Sequence, residues 1–192
     1  HFAPDPVQFE NFAAEMWVQS DAHVASIEVT RPSRDGGRDA VGEYRLGPNE
    51  DPIRLQFALE AKCYDPDGGG AGVRMVSRLI SRIQHRQFGV FVTTAFIAQQ
   101  AYQEVREDEH PVVFLSGRDI ATLLKRMGVT DPQALSTYLA LKFPVSKSIN
   151  PRVDLVIPNA DIVIIGVPEE QVQEGPQAQA VAPDAAGTAD VG

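Results

Sequence analysis

Cysteine, long apolar runs and clustered histidines are all scarce in this chain of 192 residues. The single cysteine, Cys63, cannot form an internal disulfide, and a lone thiol is typical of a reducing compartment, so a cytoplasmic location is expected. Because Cys63 lies in an apolar predicted strand and has no histidine near it in sequence, a buried small side chain is favoured over a nucleophile. The four histidines, His1, His23, His85 and His110, have no spacing that fits a zinc site.

The sequence also shows no pattern typical of a membrane span or of a secretion signal. No apolar run approaches the roughly 18 residues that a spanning helix needs, and no basic leader precedes an apolar core. The apolar content of 43% is enough to fill one core, and the length fits one domain with additional terminal residues. The chain begins with His1 rather than Met, which suggests a segment cut from a longer polypeptide.

Net positive charge is lacking as well, since the chain has 17 basic and 26 acidic residues and a formal charge of −9. This balance argues mildly against DNA, because phosphate binding is driven by Lys and Arg that release counterions. Two segments nevertheless concentrate arginine. One holds Arg31, Arg34 and Arg38, and the other holds Arg74, Arg78, Arg82 and Arg86 at four-residue steps. The steps place the second group on one face of a predicted helix, where DNA contact and an ordinary solvated face both remain open.

Apolar periodicity predicts alternating helices and strands. Helices are expected over Val7–Gln19, from Val73 through the arginine row, over Gln99–Glu107, after Ser116 and over Pro132–Lys142. Strands are expected over Val24–Thr30, Ala40–Leu46, Arg54–Tyr64, Phe88–Thr94 and Pro111–Leu115. The alternation predicts an α/β domain with a mixed central sheet covered by helices on both faces.

Residues 1–128 are assigned to a first domain. Residues 129–168 form an unassigned extension, predicted to contain the helix at 132–142 and two short strands at 153–157 and 162–167. From residue 169 the chain is Gln, Ala, Gly, Pro and Asp with almost no large apolar side chain, so residues 169–192 are predicted to be disordered.

An acid and a lysine separated by one residue, Glu60 and Lys62, end the most apolar predicted strand. The strand period of two places both side chains on one face, and burying two opposite charges is costly unless they are paired or used. Such a tripeptide occurs by chance about once in a chain of this length, so its context gives it weight. Asp39 follows Gly36 and Gly37, which suit a tight turn or a close approach to phosphate, although an ordinary hairpin acid is the alternative.

Two carboxylates and a lysine fit the hydrolysis of a phosphodiester. Negative charge develops on the phosphoryl oxygens, and Mg²⁺ held by carboxylates can polarise them and acidify a bound water. A lysine within reach can orient the water and stabilise the developing charge. Glu10, early in the first helix, is a further candidate, but a favourable interaction with the helix dipole also explains it. Asp35 is explained as well by a turn hydrogen bond.

Three segments, Glu28–Asp39, Glu60–Lys62 and Gly89–Phe96, together resemble the Mrr-type branch of the PD-(D/E)xK restriction endonuclease superfamily. The similarity runs from about Phe9 to Leu124. It implies a restriction-endonuclease-like core, in which a mixed sheet is flanked by helices.

The resemblance also implies roles for individual residues. Asp39 and Glu60 would bind the metal, Mg²⁺ or Mn²⁺, and Lys62 would be the catalytic lysine. Glu10 matches an acid found in the first helix of some members and would be a further metal ligand. Many Mrr-like proteins have Gln where this chain has Glu60, so the chain follows the general superfamily pattern more closely here.

The function implied by the resemblance is a metal-dependent DNA endonuclease domain, the cleavage module of a restriction enzyme that attacks modified DNA. Double-stranded DNA is the expected partner, contacted by Arg34, Arg38, Arg78, Arg82 and Arg86. Prompt cutting of both strands is expected to need a homodimer, and a reader domain is expected outside this chain. The alternatives are a catalytically silent DNA-binding or assembly module and a junction or repair nuclease of the same fold.

Overall fold

The computed structural model describes residues 1–30, 38–64, 70–83 and 86–145. Its helices are α1 (Pro6–Ser20), α2 (Val73–Ile80), α3 (Gln99–Glu107), α4 (Gly117–Arg126) and α5 (Pro132–Lys142). Its strands are β1 (Val24–Val29), β2 (Ala40–Leu46), β3 (Ile53–Lys62), β4 (Phe88–Thr93) and β5 (Val112–Leu115). Each element predicted within these ranges is present with closely similar limits, except for α2, which is shorter than predicted.

The five strands form one mixed sheet in the order β1-β2-β3-β4-β5. The pairs β1/β2 and β2/β3 are antiparallel, whereas β3/β4 and β4/β5 are parallel. β3 is the central strand, and its side chains alternate between two cores. Phe57 and Leu59 join the core beside α1, while Ala58 joins the core beside α2 and α3. The predicted α/β architecture is therefore confirmed, with the most apolar strand at the centre of the sheet.

Helix α5, in the predicted extension, packs against the same core as α1. Leu135 and Leu139 contact that core, and the Tyr138 hydroxyl donates a hydrogen bond to Glu15 of α1 at 3.0 Å. Burial and the neighbouring Glu15 carboxylate raise the pKa of the Tyr138 hydroxyl. The two predicted strands at 153–157 and 162–167 and the predicted tail lie outside the described residues.

Helix α2 ends at Ile80, before the last two arginines of the predicted row. The next amides turn tightly, because Arg82 N donates to Leu79 O at 2.9 Å and Ile83 N donates to Ile80 O at 3.2 Å. This turn lets the Leu79 and Ile83 side chains both close over Gly89 of β4, where a Cβ atom would meet them. The prediction of four arginines on one helical face was wrong, since Arg82 and Arg86 follow the helix rather than belong to it. None of the described helices has the length and apolar character needed to cross a membrane.

Candidate active site

Glu60 lies in the middle layer of the protein because β3 is buried on both faces. Its side chain follows Ala58 on the face covered by α2, and it is only 1% exposed. Neither carboxylate oxygen accepts a hydrogen bond from a described residue. A buried carboxylate is expensive unless cations or hydrogen-bond donors compensate its charge. The surroundings of Glu60 therefore decide what this residue can do.

Asp39 immediately precedes β2 and lies next to the end of β3. Its backbone amide donates to Leu59 O at 3.0 Å, and its carboxylate oxygen Oδ2 accepts a hydrogen bond from the Ala61 amide at 2.7 Å. The side chain is 15% exposed. Two contacts to the backbone of β3 thus fix Asp39 beside the strand that carries Glu60 and Lys62.

Lys62 brings the two carboxylates together. Its ammonium nitrogen lies 3.1 Å from Glu60 Oε1 and 3.6 Å from Asp39 Oδ2. It also donates a hydrogen bond to the Ala61 carbonyl at 3.1 Å, and the side chain is 25% exposed. The three residues singled out from the sequence therefore meet at one place, where β2 begins and β3 ends.

Two arginines approach Glu60 from the side of α2. Arg82 Nη1 lies 3.5 Å from Glu60 Oε2, and Arg78 Nε lies 3.8 Å from Glu60 Oε1. The Arg82 side chain is 20% exposed, whereas the Arg78 side chain is 53% exposed. With Lys62, these side chains place three cationic groups around one buried anion. From the sequence, Arg78 and Arg82 were expected only as DNA contacts, because four-residue spacing predicts a shared face and not what that face contacts.

Glu10 of α1 lines a cavity of about 830 Å³ together with Asp39 and Lys62. Much of the cavity wall is apolar, including Phe9 and Leu124. In the described part of the chain, no three His, Cys, Asp or Glu side chains are grouped closely enough to hold a metal ion together. Glu10 therefore shares the cavity of Asp39 and Lys62 without completing a three-carboxylate cluster.

Asp39 and Glu60 fit a hard divalent cation. Mg²⁺ is commonly held by only one or two protein carboxylates, and water and substrate phosphate complete its octahedral shell. Both Glu60 oxygens are buried and accept no hydrogen bond within the described part of the chain, so they have lone pairs that a cation would satisfy. The donor set thus suits Mg²⁺ or Mn²⁺ and lacks the nitrogen and sulfur ligands that zinc prefers.

Other residues predicted from the sequence are placed differently. Arg34 lies outside the described residues, and Arg38 directly precedes Asp39, with its carbonyl accepting a hydrogen bond from the Thr30 hydroxyl. Arg86 Nη1 donates to Gln56 Oε1 at 2.6 Å, at the opposite end of β3 from Lys62. Cys63 is exposed, so the expectation of a buried thiol was wrong. The reason is that β3 ends at Lys62 and the sheet no longer covers the next side chain.

Thr94 supports the site, although no role was predicted for it from the sequence. Its amide donates to Lys62 O at 3.3 Å, and its hydroxyl donates to Tyr64 O at 2.7 Å and accepts from Tyr64 N at 2.8 Å. These bonds tie the end of β4 to the chain that leaves Lys62. Thr94 lies within the segment Gly89–Phe96, one of the three segments that resemble the restriction endonuclease family. Membership of that segment was the sequence feature that could have pointed to Thr94.

Restriction endonucleases are among the solved structures that resemble this chain. One, the DNA modification-dependent restriction endonuclease AspBHI, is 45% identical with a TM-score of 0.67, over 73% of this chain and 36% of that one. Another, MspJI restriction endonuclease in complex with a 27-mer oligonucleotide, is 28% identical with a TM-score of 0.57, over 73% of this chain and 32% of that one. The chain thus spans about a third of the length of each. No curated protein sequence matches it significantly.

The sequence also matches a protein family over most of the described fold. The profile of Mrr_cat, described as restriction endonuclease, matches residues 3–124, which include every residue of the site described above. The resemblance noted from the sequence is therefore confirmed, and the chain belongs to the Mrr_cat family of restriction endonuclease domains.

Proposed function

We propose that this chain is a metal-dependent DNA endonuclease domain and the cleavage module of a modification-dependent restriction enzyme. One observation carries the proposal: the buried Glu60 carboxylate and the Asp39 carboxylate face a single lysine ammonium at the ends of adjacent strands. An apolar replacement of a buried ion pair is often neutral or stabilising, so stability alone gives little reason to keep these charges. Phosphodiester hydrolysis does give such a reason.

Each residue has a distinct task in this proposal. Asp39 and Glu60 would hold Mg²⁺ or Mn²⁺, which supplies polarisation of the phosphate and a more acidic water when bound. Lys62 would orient the attacking water and stabilise the charge that develops on the phosphoryl oxygens. Glu10 shares the cavity with Asp39 and Lys62 and would support metal binding from there.

Arginines near the site would contact the DNA backbone. Arg78 has an exposed side chain within reach of Glu60, and Arg38 adjoins Asp39 in sequence, so both lie close to the proposed scissile phosphate. We extend the role to Arg34, Arg82 and Arg86, with the last two acting from the turn after α2. Phosphate contacts position the duplex but carry no sequence code.

Partners follow from the size of the chain and from its chemistry. One such site handles one phosphodiester, so prompt cleavage of both strands calls for a homodimer. The chain spans about a third of the two similar restriction enzymes, so a reader of modified DNA would be a separate domain. The isolated chain should then cut modified and unmodified DNA with little sequence preference.

A supercoiled-plasmid assay tests the proposal. The wild-type chain should nick DNA in Mg²⁺ and not in EDTA, and Asp39→Asn and Lys62→Met should each be at least about 100-fold slower. Glu43→Gln is the matched control, because Glu43 lies on β2 and pairs with Arg54 at 3.0 Å on the surface. Wild-type chain that binds DNA without nicking it would instead support the catalytically silent module. Discrete fragments from one sequence would show that a reader lies within the chain.

A further inference from the structure

The Lys62 ammonium lies where a cation shared by Asp39 and Glu60 would bind. It is 3.1 Å from Glu60 Oε1 and 3.6 Å from Asp39 Oδ2, and it contacts no other carboxylate among the described ion pairs. An ammonium in this position offsets the repulsion between two neighbouring carboxylates. The site therefore contains its own monovalent cation on a flexible side chain.

A divalent metal and this ammonium would interfere with each other. Mg²⁺ requires oxygen ligands at about 2.1 Å in near-octahedral geometry, which leaves no room for an ammonium bound to the same two oxygens. Two positive groups at one position would also repel strongly. Binding of one must therefore displace the other.

We propose that the Lys62 ammonium and a divalent cation are alternative occupants of the position between Asp39 and Glu60. In the metal-free site Lys62 holds the two carboxylates in place, and with a metal at that position its ammonium would be free to reach the substrate phosphate. The proposal rests on the proposed function and deepens it, because it makes Lys62 available for catalysis only in the metal-bound site.

Arg82 is the positioning residue that makes the exchange possible. Its guanidinium lies 3.5 Å from Glu60 Oε2, the oxygen other than the one that Lys62 approaches. When Lys62 leaves, Arg82 still compensates the buried carboxylate, so Glu60 is not left as an isolated buried charge. Arg78, which faces Oε1 at 3.8 Å, contributes from a more exposed position.

The affinity for Mn²⁺ distinguishes this exchange from a general effect of removing a positive charge near Glu60. Mn²⁺ binding to the metal-free chain is measured by titration calorimetry for wild type, Lys62→Met and Arg82→Met. Each variant removes one positive charge facing Glu60, but only Lys62 lies between the two carboxylates. If the ammonium occupies its position about 90% of the time, Lys62→Met should bind Mn²⁺ about tenfold more tightly. Arg82→Met should change the affinity less than about threefold, because Arg82 does not occupy the shared position.

A second measurement uses the wild-type chain and does not depend on the folding of a variant. The sequence has only four lysines, Lys62, Lys125, Lys142 and Lys147, so carbon-13 labelling at lysine Cε gives few NMR signals. Saturating Ca²⁺, which binds oxygen ligands, should move the Lys62 signal toward that of a free lysine. Lys125, exposed on α4, is the internal control and should not move.

Three outcomes would overturn the exchange. They are equal effects of Lys62→Met and Arg82→Met on Mn²⁺ affinity, an unchanged affinity in Lys62→Met, and a Lys62 signal that Ca²⁺ leaves in place although it binds. Wild-type chain that binds no Mn²⁺ and nicks no plasmid would refute the proposed function itself. Normal metal binding and nicking with no difference between the variants would refute only the exchange.

Discussion

The ion pairs around Glu60 predict that loss of the Glu60 charge and loss of one of the cationic side chains facing it change the stability of the chain by different amounts. Glu60 is 1% exposed, whereas Lys62 and Arg82 are 25% and 20% exposed and Arg78 is 53% exposed. Glu60→Gln leaves cationic side chains that water can still reach. Lys62→Met instead leaves a buried carboxylate with one compensating charge fewer.

The magnitude follows from what remains after each change. Removing one partner of a buried ion pair costs about 3–5 kcal/mol when the other is left uncompensated. Because Arg78 and Arg82 still face Glu60 and Lys62 is a quarter exposed, we expect Lys62→Met to cost roughly half of that, about 2 kcal/mol. Glu60→Gln should change the free energy of unfolding by less than about 1 kcal/mol.

Thermal and urea unfolding of the metal-free chain can measure this difference. For a chain of this size, about 2 kcal/mol corresponds to a fall in Tm of roughly 4–8 °C. Arg54→Met is the control, because Arg54 and Glu43 form an exposed pair at 3.0 Å and its loss should cost less than about 0.5 kcal/mol. If Glu60→Gln destabilised the chain more than Lys62→Met, the reasoning from burial would be refuted.

Three other predictions concern the site, the sheet and the pH response. Glu60→Gln should reduce plasmid nicking less than Lys62→Ala, because an amide oxygen can still bind a metal while the ammonium has no substitute; the reverse order of rates would contradict the assigned roles. Gly42→Ala should lower stability by about 2 kcal/mol by urea unfolding, because its Cβ would meet the Phe57 ring and the Ser26 carbonyl, whereas Gly72→Ala has open space and should cost much less; equal costs would be evidence against this packing. The pKa of Asp21 is lowered, because hydrogen bonds from His23 and Tyr44 outweigh the opposing effect of burial. The stability that Asp21 contributes is therefore present above its usual pKa of 3.8 and lost as the pH falls through its folded value, so the difference in Tm between wild type and Asp21→Asn should shrink below about pH 4 and not grow.

The local pattern of apolar residues in the sequence was enough to predict most of the architecture. Period-two alternation and apolar runs predicted the five strands, and the apolar character of the segment Arg54–Tyr64 predicted its central position. The same period predicted that Glu60 and Lys62 share a face. These features depend on residues close together in sequence, and local rules describe such residues well.

Placement of the site depended on contacts between distant parts of the chain. Asp39 joins Glu60 and Lys62 because its carboxylate accepts a hydrogen bond from the Ala61 amide, 22 positions away. Motif order suggested this meeting, but only the antiparallel pairing of β2 and β3 produces it.

The length of α2 and the targets of its arginines were decided by tertiary packing. Leu79 and Ile83 close over Gly89, so the helix ends at Ile80 and the chain turns, with Arg82 facing Glu60. The helical periodicity of the sequence predicted a longer helix, since no residue in the segment is a helix breaker. Cys63 became exposed for a related reason, because β3 ends one residue earlier. The sequence by itself therefore determined which charged groups the site contains, and the packing of α2 on the sheet decided which of those groups compensate the buried Glu60 carboxylate.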